Sequence, residues 1–359
     1  MSLTTKKIYR VAVIGATGYG GLQSIKLLQG HPNFEISYLG GRKSAGKFWN
    51  DLNPFLAISG GPQIHEPDPV EIAKSADFAI LSLPNGFSSQ LTPKLLENKV
   101  RVIDLSADYR FSSLEQWKNV YLEESAKYYR TDFDLCKDSV YGISEWFHQE
   151  ISNSNLVSCP GCFPTASLLA LLPFLKQGLI ETDGLIIDAK TGTSGGGRTP
   201  KEHLLLSESS ESLSAYGVIG HRHRSEIEAI ASNVSGQKIE IQFTPHLVPM
   251  IRGLYSTVYG RLRDPGLTAE DCTTVLNAFY KDQPFIKVLP VGTYPSTKWA
   301  RNTNSAYLSV QVDKRNGRLV LLSAIDNLLK GQAGQAVQNL NIMCNLDQEI
   351  GLPAHPFYP

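Results

Sequence analysis

Short apolar runs alternate with connecting segments through the first part of the chain. Runs at Tyr9–Ile14, Phe34–Leu39, Phe78–Leu83 and Arg101–Leu105 have the length and composition of buried strands, and Leu22–Gln29 has the pattern of a helix. Strands that are separated by helical or loop segments are typical of a parallel sheet covered on both faces. The pattern therefore predicts a doubly wound α/β domain.

The pattern changes after about residue 160. A continuous apolar stretch predicts a helix at Pro164–Lys176, ended by Gly178. Strands then follow one another with few helices between them, which favours an α+β domain on a mixed or antiparallel sheet. The predicted strands are Leu185–Ala189, Lys238–Thr244, Leu254–Gly260, Ala306–Val312 and Leu319–Ile325, and the predicted helices are Ser225–Asn233, Ala269–Tyr280 and Gly331–Leu340.

Composition narrows the function classes. The 359 residues suit two domains, and 34 basic residues balance 34 acidic ones, so no net charge attracts nucleic acid or a membrane surface. No apolar stretch approaches the ~18 residues that span a bilayer. Five scattered cysteines indicate a reducing compartment, and we expect a cytoplasmic location. Only Cys159 and Cys162 are close in sequence, so we expect no metal site.

A glycine-rich loop, Gly15–Gly21, joins the first predicted strand to the first predicted helix. Glycines at 15, 18 and 21 permit a tight turn, close approach of the backbone to a pyrophosphate, and close helix packing. The amides at the helix start supply an anion site. A tight β–α turn without a ligand is the alternative, because such motifs need context. The strand before and the helix after favour a Rossmann-like dinucleotide site.

The end of the second strand distinguishes NADP from NAD. An NAD site usually has Asp or Glu there, which binds the ribose 2′-hydroxyl. This chain has Arg42, Lys43 and Ser44 instead, and the nearby acid, Glu35, lies at the start of the strand. Two cations and a hydroxyl suit a 2′-phosphate. We therefore expect NADP(H) as the cofactor.

The segment Ser158–Thr165 carries the strongest candidate for chemistry. Cys162 stands just before the predicted helix, whose first turn contains Pro164. The positive end of a helix favours the thiolate, and the amides there can bind an oxyanion. Cys162 is thus a candidate nucleophile. The alternatives are a buried structural cysteine and a thioredoxin-like redox pair with Cys159, although that motif belongs after the first strand of a small βαβ domain.

An ordered set of motifs resembles the family of N-acetyl-γ-glutamyl-phosphate reductases, within the aspartate-semialdehyde dehydrogenase-like group. The resemblance spans essentially the whole chain and is more specific than any single motif. The matching segments are Gly15–Gly21, Ser44–Lys47, Asp108–Arg110, Tyr141–Gly142, Pro160–Thr165, Gly192–Gly195, Gly220–His223 and Asp326–Leu328.

The resemblance implies roles for individual residues. Cys162 would accept the acyl group, and the histidine base would be His221 or His223; we favour His221, but spacing cannot separate the two, and a solvated basic turn is the alternative. A histidine pKa of about 6.5 suits proton transfer near neutrality. The expected cofactor-binding residues are Gly15, Thr17, Gly18, Tyr19, Gly20, Gly21, Arg42, Lys43, Ser44, Pro84, Ser194, Gly195 and Asn327.

The substrate implied by the family carries a carboxylate and a phosphate, so cations are expected to bind it. Arg110 is the candidate for the carboxylate and Arg198 for the phosphate, while an ordinary surface charge is the alternative for each. Glu145 and Arg252 are weaker candidates. We expect residues 1–160 plus 329–359 to form an NADP-binding Rossmann domain and residues 161–328 a catalytic and oligomerisation domain, in a homodimer or homotetramer.

The implied reaction is NADPH-dependent reduction of an acyl phosphate to an aldehyde through a thioester on Cys162, in arginine biosynthesis. Aspartate-semialdehyde dehydrogenase, which acts on a shorter acyl phosphate, is the alternative enzyme. A catalytically inactive NADP sensor is the third interpretation, although a sensor needs no nucleophile.

Cys159 departs from the family pattern, which often has a residue other than cysteine at this position. We hypothesise that oxidation joins Cys159 to Cys162 and silences the enzyme reversibly.

Overall fold

The computed structural model describes residues 7–356, which divide into two compact units. The first unit contains residues 7–160 and 332–352, and the second contains residues 161–331 and 353–356. Residues 1–6 and 357–359, which fall in the predicted Rossmann domain, lie outside the described residues.

Thirteen strands and fourteen α-helices follow one another along residues 7–356. The strands are β1 (Tyr9–Ile14), β2 (Phe34–Gly40), β3 (Phe78–Leu81), β4 (Arg101–Asp104), β5 (Val140–Tyr141), β6 (Leu156–Ser158), β7 (Leu185–Thr191), β8 (Ser214–Ala215), β9 (Ile241–Leu247), β10 (Leu254–Arg261), β11 (Ile286–Val288), β12 (Ala306–Asp313) and β13 (Arg318–Ile325). The helices are α1 (Tyr19–Gln29), α2 (Trp49–Leu52), α3 (Pro69–Ser75), α4 (Ser88–Glu97), α5 (Leu114–Val120), α6 (Leu122–Lys127), α7 (Phe133–Asp138), α8 (His148–Asn153), α9 (Cys162–Lys176), α10 (Leu206–Ser209), α11 (Arg222–Ser235), α12 (Ala269–Tyr280), α13 (Thr297–Ala300) and α14 (Gly334–Met343).

The first unit is built on a six-stranded sheet with the order β2-β1-β3-β4-β6-β5. Every neighbouring pair in it is parallel, so the predicted doubly wound parallel sheet is confirmed. The strand order reverses beside β1, because β2 lies on one side of it and β3 on the other. In open α/β sheets ligands bind at such a switch point, and the glycine loop that follows β1 begins there.

The second unit is built on a seven-stranded sheet with the order β11-β12-β13-β10-β7-β9-β8. Two pairs, β7–β9 and β11–β12, are parallel and the others are antiparallel, so the predicted mixed sheet is confirmed. Helix α9 packs on β10 and β13 and against α11. Every residue from Phe163 to Leu175 is buried, as expected for a helix that is apolar on all sides.

Several predicted boundaries were wrong, and three of them show a local reason. Helix α1 begins at Tyr19 rather than Leu22, because Gly18 serves as its N-cap. Strand β9 begins at Ile241 rather than Lys238, because the Ile239 amide is bonded to Ser232 Oγ at 2.9 Å in the return from α11. Helix α9 begins at Cys162 itself, so the cysteine is its first residue and not the residue before it.

The last predicted helix, Gly331–Leu340, is also different. A π-helical turn at Leu329–Ala333 precedes α14, which runs from Gly334 to Met343. The turn is wide because the Gly331 amide donates to the Asp326 carbonyl, five residues back, at 3.0 Å. Within residues 7–356 no helix is long and apolar enough to cross a bilayer.

Candidate active site

Cys162 lies at the first position of α9, half-buried, after the N-cap residue Gly161. The Gly161 amide donates to Glu226 Oε1 at 2.9 Å, and Glu226 is fully buried. The Thr165 amide donates to the Gly161 carbonyl, and Pro164 has no N–H. Because the Gly161 amide already donates to a carboxylate, fewer amides at the start of α9 are left to donate to an oxyanion.

The two candidate histidines lie next to Phe163, the residue that follows Cys162. Their ring centroids are 5.7 Å (His221) and 5.8 Å (His223) from that of Phe163, and 4.9 Å from each other. A Cβ on Gly161 would overlap the His223 ring at Nε2, so the imidazole rests directly on the residue before the nucleophile. The structure thus brings Cys162, His221 and His223, predicted from separate segments, into one part of the second unit.

The hydrogen bonding of His221 fixes where the proton of its neutral ring lies. His221 is the N-cap of α11, and its Nδ1 accepts from the His223 amide at 3.1 Å. An accepting Nδ1 places the proton of the neutral ring on Nε2. Burial, with a smaller contribution from Arg222, lowers the pKa of His221 to about 4. At neutral pH His221 is therefore a hydrogen-bond donor through Nε2, with its other nitrogen already engaged.

Tyr216 is a site residue that the sequence reasoning missed. Its ring lies edge-on to His221, with centroids 5.4 Å apart. Burial, followed by the nearby charge of Cys162, raises the pKa of Tyr216, so its hydroxyl stays protonated and can donate. No local sequence signal marks Tyr216, because the pairing of β8 with β9 places it.

Gly331 was predicted only as part of a helix, but it contacts the nucleophile. A Cβ on Gly331 would lie 2.8 Å from the Cβ and 3.2 Å from the Cα of Cys162. Real Cβ atoms do not approach that closely, so the π-helical turn can pass Cys162 only because residue 331 has no side chain. The π-helical turn therefore packs directly against Cys162.

The glycine loop of the first unit fits a dinucleotide. Gly15 has a φ of +82°, and a Cβ there would overlap the Ser82 carbonyl oxygen. A Cβ on Gly21 would overlap the Gly15 carbonyl oxygen, so α1 packs tightly on the loop. By contrast, among residues 7–356 a Cβ on Gly18 would meet only Gly15 O, at 3.5 Å. Open space therefore lies beside the first turn of α1, where amides and the helix dipole favour a phosphate.

The predicted 2′-phosphate residues form a short 3₁₀ turn, Arg42–Ser44, directly after β2. Ser44 Oγ is buried and has no hydrogen-bond partner within residues 7–356, as expected of a group that binds a ligand. Arg42 is exposed, and its guanidinium carbon lies 4.2 Å from the ring centroid of Phe87. Lys43 and Pro84 are also exposed, whereas Thr17, Tyr19 and Gly20 lie in the loop and the first turn of α1.

Two predicted cofactor residues of the second unit contact each other. Asn327 Nδ2 donates to Ser194 Oγ at 2.9 Å, and Asn327 Oδ1 accepts from the Gly253 amide at 2.8 Å. Gly195 follows in the 3₁₀ turn Thr193–Gly196. The Asn327 side chain therefore holds the loop that carries Ser194 and Gly195.

The predicted substrate-binding residues have different surroundings. Arg110 donates from Nε to the Cys159 carbonyl at 2.9 Å and from an Nη to the Leu105 carbonyl at 3.2 Å. Glu145 accepts from Gln338 at 3.0 Å, and Arg198 is exposed.

Other polar groups are already engaged. Arg252, one of the two weaker substrate candidates, forms a bidentate ion pair with the buried Asp326 at 2.8 and 3.0 Å, so its guanidinium group is used within the fold. The Cys159 sulfur is buried and lies 3.6 Å from Asn339 Nδ2. The redox role of Cys159 stays a prediction.

Among residues 7–356 no group of three or more His, Cys, Asp or Glu side chains is arranged to hold a metal ion.

Comparison with known protein families matches most of the chain. Residues 10–154 match the family described as semialdehyde dehydrogenase, NAD binding domain, and residues 162–327 match semialdehyde dehydrogenase, dimerisation domain. The chain is 66% identical, over the whole of both chains, to an N-acetyl-gamma-glutamyl-phosphate reductase of Prochlorococcus marinus (strain NATL2A). It is 64% identical to the protein of the same name from Synechococcus sp. (strain CC9605), over 99% of this chain and 100% of the relative.

Solved structures share the fold. Aspartate semialdehyde dehydrogenase II from Vibrio cholerae aligns with a TM-score of 0.70 at 19% identity, over 94% of this chain and 99% of that one. The aspartate semialdehyde dehydrogenase of Candida albicans, solved with NADP, aligns with a TM-score of 0.67 at 16% identity and the same coverage. At these identities the likeness concerns the fold alone.

Proposed function

The chain belongs to the family of N-acetyl-γ-glutamyl-phosphate reductases, and on that premise we propose that it reduces N-acetyl-γ-glutamyl phosphate to N-acetylglutamate semialdehyde and phosphate in arginine biosynthesis. The observation that carries this proposal is Cys162 at the first position of a buried helix, with His221 and His223 beside it. Identity of 66% and 64% to reductases of that name, over essentially the full length, supports this choice of substrate.

Cys162 is the nucleophile of the proposed reaction. Its sulfur attacks the acyl carbon, the bond from that carbon to the phosphate oxygen breaks, and inorganic phosphate leaves a thioester on Cys162. NADPH, when bound, supplies the hydride that reduces the thioester carbonyl. The carbon–sulfur bond then breaks, which releases the aldehyde and returns the thiolate. The helix start stabilises negative charge at both stages.

The histidines take separate roles in this proposal. His221, neutral with its proton on Nε2, donates a hydrogen bond to the developing oxyanion. In this assignment His223, whose ring rests on Gly161, is the base that takes up and returns a proton during the reaction. Sequence alone favoured His221 as the base, and the hydrogen bond at its Nδ1 is the reason for the change.

NADPH is the cofactor, and the residues present fit it. The Gly15–Gly21 loop would hold the pyrophosphate, while Arg42, Lys43 and the unpartnered hydroxyl of Ser44 would hold the 2′-phosphate. Ser194, Gly195 and Asn327 remain proposed cofactor-binding residues. Arg110, Glu145 and Arg198 remain proposed substrate ligands. We further propose a cytoplasmic enzyme that forms a homodimer or homotetramer.

The reverse reaction tests this function. We expect phosphate-dependent NADP⁺ reduction with N-acetylglutamate semialdehyde and none with aspartate semialdehyde. Turnover on aspartate semialdehyde alone would identify the other dehydrogenase, and turnover on neither would favour a sensor. The Cys162→Ser variant should lose about 10⁴-fold or more in kcat, because the nucleophile is gone, while NADPH binding measured by fluorescence is retained.

A further inference from the structure

The buried carboxylate of Glu226 connects the two segments that carry the candidate chemistry. Glu226 belongs to α11, the helix that His221 caps, and it accepts the Gly161 amide from the turn that carries Cys162. Glu226 is fully buried, and a buried carboxylate is costly unless it is hydrogen-bonded. An amide-to-carboxylate bond of 2.9 Å in a buried setting is among the stronger backbone contacts available to the turn.

One face of α11 holds the nucleophile turn at two points. His223 and Glu226 are three residues apart, so both project from the same face of the helix. Glu226 contacts the Gly161 amide, and the His223 ring rests against the Gly161 α-carbon. A shift of Gly161 would therefore displace Cys162 relative to the imidazole, which is the distance that proton transfer depends on.

We propose that Glu226 is a positioning residue, whose bond to the Gly161 amide fixes Cys162 against the histidines of α11. Glu226 acts through the backbone of residue 161, so it is not itself a catalytic group. The inference rests on the proposed function, because it concerns the geometry of the same reaction.

Two substitutions separate the hydrogen bond from the charge. Glu226→Gln and Glu226→Ala both remove the ionisable carboxyl group, but only glutamine keeps an oxygen that can accept from the Gly161 amide. Glu228→Ala is the matched control, because Glu228 lies on the same helix and also accepts a backbone amide, that of Ile241 at 3.1 Å, away from the nucleophile. Glu226→Asp, one methylene shorter, serves if the alanine variant does not fold.

The measurements are kcat and KM in the reverse assay, together with the midpoint of thermal unfolding. We expect Glu226→Ala, or Glu226→Asp, to lower kcat about 100-fold with little change in KM, since a displacement near 1 Å costs about that much. Glu226→Gln should keep kcat within about threefold of the wild type, a difference of about 0.65 kcal/mol. Glu228→Ala should lower the unfolding midpoint without lowering kcat.

Several results would overturn the proposal. Full kcat in Glu226→Ala would mean that the bond does not position Cys162. A glutamine variant as slow as the alanine variant would mean that the carboxyl group acts by another route. A loss of kcat in Glu228→Ala equal to that in Glu226→Ala would mean that both act through stability alone. Absence of wild-type activity would instead refute the proposed function, which keeps the two failures distinct.

Discussion

At the scale of single residues, the protonation of His221 is set by its place at the start of α11. The backbone bond to Nδ1 and the low pKa of His221, about 4, make it a neutral donor across the physiological range. His223 is not the helix cap, and its ring rests against Gly161, the residue before the nucleophile.

This difference predicts distinct effects of substitution. His223→Gln should lower kcat about 10²- to 10⁴-fold, because proton transfer is lost, and should remove one ionisation from the pH profile of kcat. His221→Asn should lower kcat less, since asparagine can cap the helix and donate a hydrogen bond. Steady-state kinetics between pH 5 and 9 would check this. A larger loss in His221→Asn would return the base assignment to His221.

Arg42 should decide between the two nicotinamide cofactors. Loss of a charged hydrogen bond to the 2′-phosphate costs about 1.5–3 kcal/mol, so Arg42→Ala should weaken NADPH binding about 10- to 100-fold and leave NADH binding unchanged. Fluorescence titration with both cofactors measures this. Lys74→Ala, an exposed cation of the same unit that pairs with Glu71, is the control. Equal losses for NADPH and NADH would refute the 2′-phosphate assignment.

At the scale of elements, the π-helical turn at Leu329–Ala333 holds the nucleophile from one side. Gly331→Ala should push Cys162 out of place, because the new Cβ would lie 2.8 Å from its Cβ. We expect kcat to fall about 100-fold and alkylation of Cys162 by iodoacetamide to change in rate. Gly30→Ala is the control, since a Cβ there has its nearest atom at 3.9 Å. Unchanged kcat in Gly331→Ala would show that the turn shifts to accept the new Cβ and does not hold Cys162 in place.

Elements with a regular pattern of their own could be predicted from the sequence. Strand β1 and helix α12 have the residue bounds that their patterns predicted, and the parallel and mixed sheets follow from the order of such runs. Strands β6 and β8 were missed because two or three residues show no period.

The candidate site divides in the same way. The glycine loop and Cys162 could be recognised because each occupies one continuous segment next to a helix start. The bond from Gly161 to Glu226 joins residues 65 positions apart, and no local pattern announces it. The contact of Gly331 with Cys162 likewise exists only once the chain has folded.

At the scale of the whole molecule, the second unit leaves apolar side chains exposed. Leu206, Ile219 and Ile251 are each more than 70% accessible. The unit also matches a dimerisation domain. That match supports the proposed assembly, and the exposed side chains are candidates for its interface.

Light scattering after size-exclusion chromatography should therefore give a mass two or four times that of the 39.5 kDa chain. Replacing Leu206 and Ile219 with Lys should shift the mass towards that of one chain, because charge opposes association through an apolar surface. Lys substitution of Leu122, an exposed apolar residue of the first unit, is the control. A single-chain mass for the wild type at all concentrations would contradict the assembly.

Helix α14 completes the first unit but is synthesised late, after most of the second unit. All ten residues of α14 are buried, and the helix packs against α1 and α8 of the first unit, although the chain supplies it only after nearly the whole second unit. During translation the first unit therefore lacks this helix until nearly the whole chain has been made. A nascent chain released before Gly334 would keep an open apolar groove, and quality-control proteases would remove it.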